Sequence, residues 1–215
     1  MLRLFERTVR RTGLPIAMTN GFNPRMKMIF GMPMSIGLSS ESEYADIEME
    51  TFIESNVFQH KMNEHLPKGM KVEHAEINHD KENIMARIAS AKYMIHFTAL
   101  EKYTPEAMEV LLDKMLHAEN VFVMKKGKKG LREIDIKPLI YSATVHPIHE
   151  YYWCLEVFIS SGSEDNLRPD LLFDGWVSLI KKEFSIGDVR RTALFASVDN
   201  NWVSPIDPMI ILPET

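Results

Sequence analysis

The sequence predicts an α+β protein built from two successive units on one β-α-β-β-α-β plan, the first lacking its opening strand. Helix-spaced apolar stripes alternate with strictly alternating segments, and polar turn residues separate them. The element order after residue 80 also repeats the order before it. At 215 residues the chain has room for two small domains. The units are placed at 1–80 and 81–215, because composition turns polar at NHDKEN before helical and strand patterns resume.

Residues 2–12 predict an amphipathic helix, with Leu2, Phe5 and Val9 at helical spacing and Arg3, Arg7 and Arg10 in a separate stripe. Gly13 supplies a C-terminal cap and Pro15 stops continuation. Residues 26–38, apolar and methionine-rich, predict a strand bent at Gly31 and Pro33. EYADIEME alternates cleanly, so Ala45, Ile47 and Met49 share one strand face. A helix is expected at about 52–65, followed by a closing strand in MKVEHAEI, residues 70–77.

In the second unit, YMIHFTAL predicts a strand, and Thr104-Pro105-Glu106 opens a helix to about residue 117. VFVMKKGKKGLREIDI predicts two strands around a lysine loop, with a further segment at 140–146. YYWCLEVFIS is a strand, 169–184 a helix, and DVRRTALFAS the closing strand. This order is the split-βαβ, ferredoxin-like arrangement, used twice. The missing opening strand carries the expectation that Met1 is a late, internal start; a three-stranded first sheet is the other reading.

Charge is unevenly placed. The chain carries a formal −5, yet residues 1–27 hold six cations (Arg3, Arg7, Arg10, Arg11, Arg25, Lys27) against Glu6 alone. A second island, Lys125, Lys126, Lys128, Lys129 and Arg132, has no acid within 121–132. The two segments hold eleven of the 25 cations and one of the 30 acids, which leaves −15 elsewhere. Such asymmetry lets an acidic protein offer a phosphate-binding face. For the lysine loop alone, a solvated hairpin tip is an equal reading.

Between the basic helix and strand lies Thr19-Asn20-Gly21-Phe22-Asn23-Pro24-Arg25, dense in turn formers. Its backbone N–H groups could face a phosphate beside Arg25 and Lys27, and Phe22 could stack on a base. Taken alone, Phe22 is read first as the loop's core anchor. Ser40, Glu41, Glu43, Asp46 and Glu48 form an acidic cluster, read first as a solvated strand face. Adjacent Arg190 and Arg191 cannot both point inward from a strand. An edge-strand solubility role is the equal alternative.

No catalytic or metal-binding set emerges. The eight histidines show no HExxH or zinc-finger spacing, and each is read as ordinary. Cys154, flanked by Trp153 and Leu155, reads as an inert buried thiol, and one cysteine excludes an internal disulfide. No apolar run approaches the roughly 20 residues of a membrane span, and no secretory signal is present. A soluble cytoplasmic protein with no membrane partner is expected.

LRLFERTVRRTGLPIAMTNGFNPRMKMIFGMPMSIGLSSESEYADIEM resembles the radical-SAM-linked proteins. These are a bacterial domain of unknown function, found alone or fused C-terminal to a cobalamin-binding radical SAM protein. The arginine-rich helix, GFNP turn, glycine-proline strand and S-x-x-E-Y-x-D-I occur in order over most of residues 1–50. Weaker echoes lie at LREIDIKPLI and NLRPDLL. Members of that group begin with a strand and a His-Asp pair, which this chain lacks.

The resemblance implies an accessory to radical SAM chemistry on RNA. The leading expectation is an RNA-binding or substrate-presenting protein without a cofactor of its own, more an accessory than an enzyme. Its contacts would be the arginines of the first helix, Asn20 to Asn23, Arg25, Lys27 and the 125–132 loop. A protein–protein adaptor using the 15 methionines as a pliable surface is one alternative, and a metal-independent RNA-processing enzyme the other.

Overall fold

A computed structural model describes residues 2–79, 82–127 and 130–206. The fold is α+β, as the sequence predicts, and the chain divides into two compact units. Residues 1–30 and 45–84 form the first, and residues 31–44 and 85–215 the second.

The first unit contains α1 (Leu2–Thr12), β1 (Met28–Phe30), β3 (Ala45–Ile47) and α2 (Ser55–His65). Strand β2 (Leu38–Ser40), between β1 and β3 in sequence, belongs to the second unit. α1 forms where expected. It ends because Thr12 Oγ1 donates to Val9 O at 2.7 Å and accepts from Leu14 N–H, while Gly13 takes the left-handed φ of 67°. Val9, Leu14, Ile16 and Met62 make the core, and Phe5, Met26, Met28, Ile47, Met49 and Phe58 pack against it. These methionines therefore fill a small core with adaptable side chains and are not an exposed surface.

β1 and β3 pair antiparallel with Met28 opposite Ile47. The bent strand expected over 26–38 is cut short, because the chain leaves the unit after Phe30. The strand expected at 70–77 is also absent. Around Val72 its backbone is held by α2 side chains instead: Val72 N–H donates to Asn63 Oδ1 at 2.7 Å, and Val72 O accepts from Asn63 Nδ2 and Gln59 Nε2.

After β2 the chain re-enters the second unit in α3 (Ile84–Arg87), whose first residue closes unit 1, and continues with β4 (Ile88–Ala99) and α4 (Pro105–Leu116). The hairpin β5 (Phe122–Gly127) and β6 (Gly130–Asp135) follows. Then come β7 (Ile140–Pro147), β8 (Tyr152–Ser160), α5 (Pro169–Ile180), β9 (Phe184–Val198) and β10 (Asn201–Val203). The sheet order is β10-β9-β4-β8-β7, antiparallel throughout, and β2 adds to β9 in parallel. The β-α-β-β-α-β path predicted for this half thus runs β4-α4-β7-β8-α5-β9.

The expected strands around the lysine loop form, but as a two-stranded sheet of their own inserted before β7. α5 stops at Ile180, short of the expected residue 184, because Lys181 adopts a left-handed φ of 52°. Phe97 gathers Phe173, Trp176 and Phe184 within 5.2–5.5 Å between ring centroids. Trp176 Nε1 donates to Leu111 O at 3.0 Å, which ties α5 to α4.

Candidate nucleic-acid interface

α1 buries Thr8, Val9 and Thr12 and turns its arginines to water. Arg3, Arg7 and Arg10 lie at i, i+4 and i+7, so they share one exposed face. Among the described residues none of the three has an ion-pair or hydrogen-bond partner. Arg10 and Arg11 occupy the last turn, where the helix dipole favours cations, so part of their presence is structural. Arg11 goes further: its Nη2 donates to His65 O at 3.4 Å, at the end of α2.

The GFNP segment is the tip of a hairpin. Lys27 N–H donates to Ala17 O, Met18 bridges Met26, and Thr19 N–H donates to Arg25 O at 2.8 Å. Thr19 Oγ1 accepts from Arg25 N–H at 2.9 Å and closes the loop a second time. Gly21 takes a φ of 120°, which a side chain would strain. Asn20, Gly21, Phe22, Asn23 and Arg25 are all exposed. Phe22 is 106% exposed, so the reading of it as a core anchor is wrong. The loop closes through Thr19 and Arg25 and needs no apolar anchor. Lys27 is discounted as a free cation, because its Nζ pairs with Glu48 Oε1 at 2.7 Å.

In the second unit the lysine hairpin has a rigid root. Asp135 Oδ1 accepts from Val121 N–H at 2.8 Å and Lys137 N–H at 3.0 Å, and Oδ2 accepts from Asn120. The Val121 hydrogen bond, first among these, holds the Asp135 carboxyl below the ordinary aspartate range. Lys125 Nζ donates to Asn166 O at 3.3 Å, whereas Lys126 and Arg132 are exposed without a partner among the described residues. Lys128 and Lys129 lie outside the described residues.

Sequence reasoning missed the outer face of this hairpin. Phe122, Met124 and Leu131 are 55%, 54% and 67% exposed. The register sets all three on one face with Lys126. Alternation from Phe122 to Met124 was the signal that could have found it.

Glu41 and Glu48 of the acidic cluster are exposed, as a solvated face requires, but its carboxylates also have partners. Asp46 Oδ2 accepts Ile84 N–H at 2.7 Å within the first unit, while its Oδ1 accepts from Asn78. Glu48 pairs with Lys27, Glu41 with Arg190 and Glu43 with Arg191. The register also aligns His96, Cys154 and His146 across β4, β8 and β7. Burial pushes the Cys154 thiol up, with Glu156 adding to the shift, so the thiol is a poor nucleophile. Among the described residues no three His, Cys, Asp or Glu side chains converge to hold a metal ion. No helix among them is long and apolar enough to cross a membrane.

The fold and these surfaces define an α+β protein with exposed cations on its first helix and on two hairpins, and with Lys68, Lys71, Lys102, Lys114, Arg168 and Lys181 exposed elsewhere. Residues 1–169 match the family described as an uncharacterized protein conserved in bacteria (DUF2344), and the chain belongs to that family. No curated protein matches the sequence. Among solved structures, a Cbf5-Nop10-Gar1 complex is similar over 52% of this chain and 32% of that one, at 14% identity and a TM-score of 0.38. An H/ACA RNP bound to a substrate RNA containing 2′-deoxyuridine is similar over 52% and 31%, at 13% identity and a TM-score of 0.36. The chain spans about a third of the chains it matches.

Proposed function

We propose that this chain is an accessory RNA-binding protein that presents its RNA to a radical SAM partner and carries no cofactor of its own. The observation that carries the RNA reading is the face of Arg3, Arg7 and Arg10, three exposed guanidinium groups without an acidic partner in a chain of net charge −5. Arg11, Asn20 to Asn23 and Arg25 extend that contact in the first unit, with Lys27 left out because Glu48 already holds its ammonium. Lys125, Lys126 and Arg132, with Lys128 and Lys129 by sequence, are the contact of the second. The radical SAM partner rests on the resemblance of residues 1–50 alone.

The test is RNA binding by fluorescence anisotropy from about 50 to 200 mM salt. Affinity should fall steeply across that range. A variant with Arg3, Arg7 and Arg10 changed to alanine should flatten the log–log slope by about 2, near 0.7 for each single-strand phosphate that is no longer neutralised. No detectable binding to structured or bulk RNA at about 50 mM salt ends the proposal.

A second reading, a protein–protein adaptor, is favoured by the exposed Phe122, Met124 and Leu131 on the hairpin's outer face. Capture of a radical SAM protein after nuclease treatment, abolished by changing Leu131 to aspartate, would support it.

A further inference from the structure

From the 19–25 turn we infer a specific kind of RNA contact: the tip is a finger that stacks on one unpaired base, so the protein selects single-stranded over duplex RNA. This rests on the RNA reading above and specifies its partner.

Phe22 stands 106% exposed at the apex, which leaves its whole ring in water. A large apolar side chain held so has no folding role, and removing it from water is favourable for any flat partner. The backbone beneath it is fixed. Two hydrogen bonds between Thr19 and Arg25, at 2.8 and 2.9 Å, close the loop, and Met18 bridges Met26 below them. Binding therefore has little loop entropy to overcome.

Arg25 is exposed three residues from Phe22 and has no side-chain partner among the described residues. An exposed aromatic ring and an unpaired guanidinium on one short turn match a nucleotide, with the base on the ring and its phosphate on the cation. A duplex keeps its bases stacked and offers that ring nothing, so selectivity follows from the exposed phenyl and not from the charge. Stacking needs no particular base, so sequence preference should be weak.

The experiment measures affinity of the full chain for an unstructured oligoribonucleotide, the same sequence as a perfect duplex, and the corresponding DNA strand. The wild-type chain should prefer the single strand. Phe22→Ala should lower single-strand affinity by about tenfold to a hundredfold and bring its ratio to duplex affinity towards one. Phe22→Trp should keep the ratio. Ile36→Ala serves as the control, since Ile36 is equally exposed at 105% and lies outside both basic segments. A parallel loss on the DNA strand supports stacking and widens its source to any single strand.

Salt-dependent RNA binding that Phe22→Ala leaves unchanged overturns the stacking inference while the phosphate reading stands. Absence of any RNA binding removes both.

Discussion

Arg191 lies 2% exposed and is held by Glu43: its Nε and Nη2 both donate to Glu43 Oε1, the first at 3.0 Å, and Nη2 also donates to Met32 O at 3.0 Å. The pair fastens residues 31–44 to β9, where Ser40 already faces Arg191 in the parallel register. Its neighbour Arg190 points the other way and pairs with Glu41 in the open at 2.9 Å. One arginine inward and one outward is the alternation a strand imposes. The Ser-x-x-Glu-Tyr run at 40–44 is thus architectural, and its glutamate is there to neutralise a buried guanidinium.

Glu43→Ala should therefore destabilise the second unit by about 3–5 kcal/mol, because it leaves a buried charge without its counter-ion. Glu41→Ala removes an exposed pair and should cost about 0–1 kcal/mol. Arg191→Lys should behave more like Glu43→Ala, since an ammonium cannot reach both Glu43 and Met32 O with a planar fork. Urea denaturation of the three variants decides this. Equal midpoints for Glu43→Ala and Glu41→Ala would show that the buried pair is no clamp.

Local pattern made most elements legible. α1, α4, the lysine hairpin, β7 and β8 follow from apolar periodicity and cap residues in their own segments. What stayed hidden depends on partners far away in sequence. β2 is three residues long and pairs with residues 189–191, so nothing within 26–38 marks where one strand ends and another begins. Residues 70–77 read like a strand, but at Val72 and Glu73 Asn63 and Gln59 take the hydrogen bonds a neighbouring strand would have made. At the candidate interface the arginine stripe was readable from spacing. The exposure of Phe22 was not, because an aromatic among turn residues looks the same in sequence whether it anchors a loop or crowns it.

Asn63 is a direct test of that substitution of side chain for strand. Its amide exchanges two hydrogen bonds with Val72, at 2.7 and 3.0 Å, and Val72 itself packs on the unit 1 core. Asn63→Ala should cost about 1–3 kcal/mol and release amide protection at Val72 first. Hydrogen exchange measures it. Protection at Val72 unchanged in the variant would mean another group holds the segment.

Gly175 is where α5 passes over the root of the lysine hairpin. A Cβ there would lie 2.8 Å from Val123 Cγ1, 3.0 Å from Ile136 Cδ1 and 3.2 Å from Val121 Cγ1. Val121, Val123 and Ile136 are all buried, so none can swing away freely. Gly175→Ala should gain helix propensity yet lose about 1–3 kcal/mol net through overpacking. A thermal midpoint equal to or above the parent's would show that the hairpin root yields.

Asp135 gives the hairpin a pH dependence of predictable sign. Its carboxylate accepts the N–H groups of Val121 and Lys137, and the Val121 bond foremost holds it below the ordinary value of 3.8. A group whose folded value is depressed contributes stability that is present above its unfolded value and lost as pH falls through the folded one. The hairpin root should therefore hold its full protection at neutral pH and lose it only as pH drops below about 3.8. Asp135→Asn keeps an acceptor oxygen but has no charge to titrate, so its exchange protection at Val121 and Lys137 should start lower and stay flat through the same acid range. Other carboxylates titrate there too, which makes the difference between the two proteins the quantity to follow. Parallel loss of protection in both would mean that the acid sensitivity comes from elsewhere and that the Asp135 charge does not secure the arm.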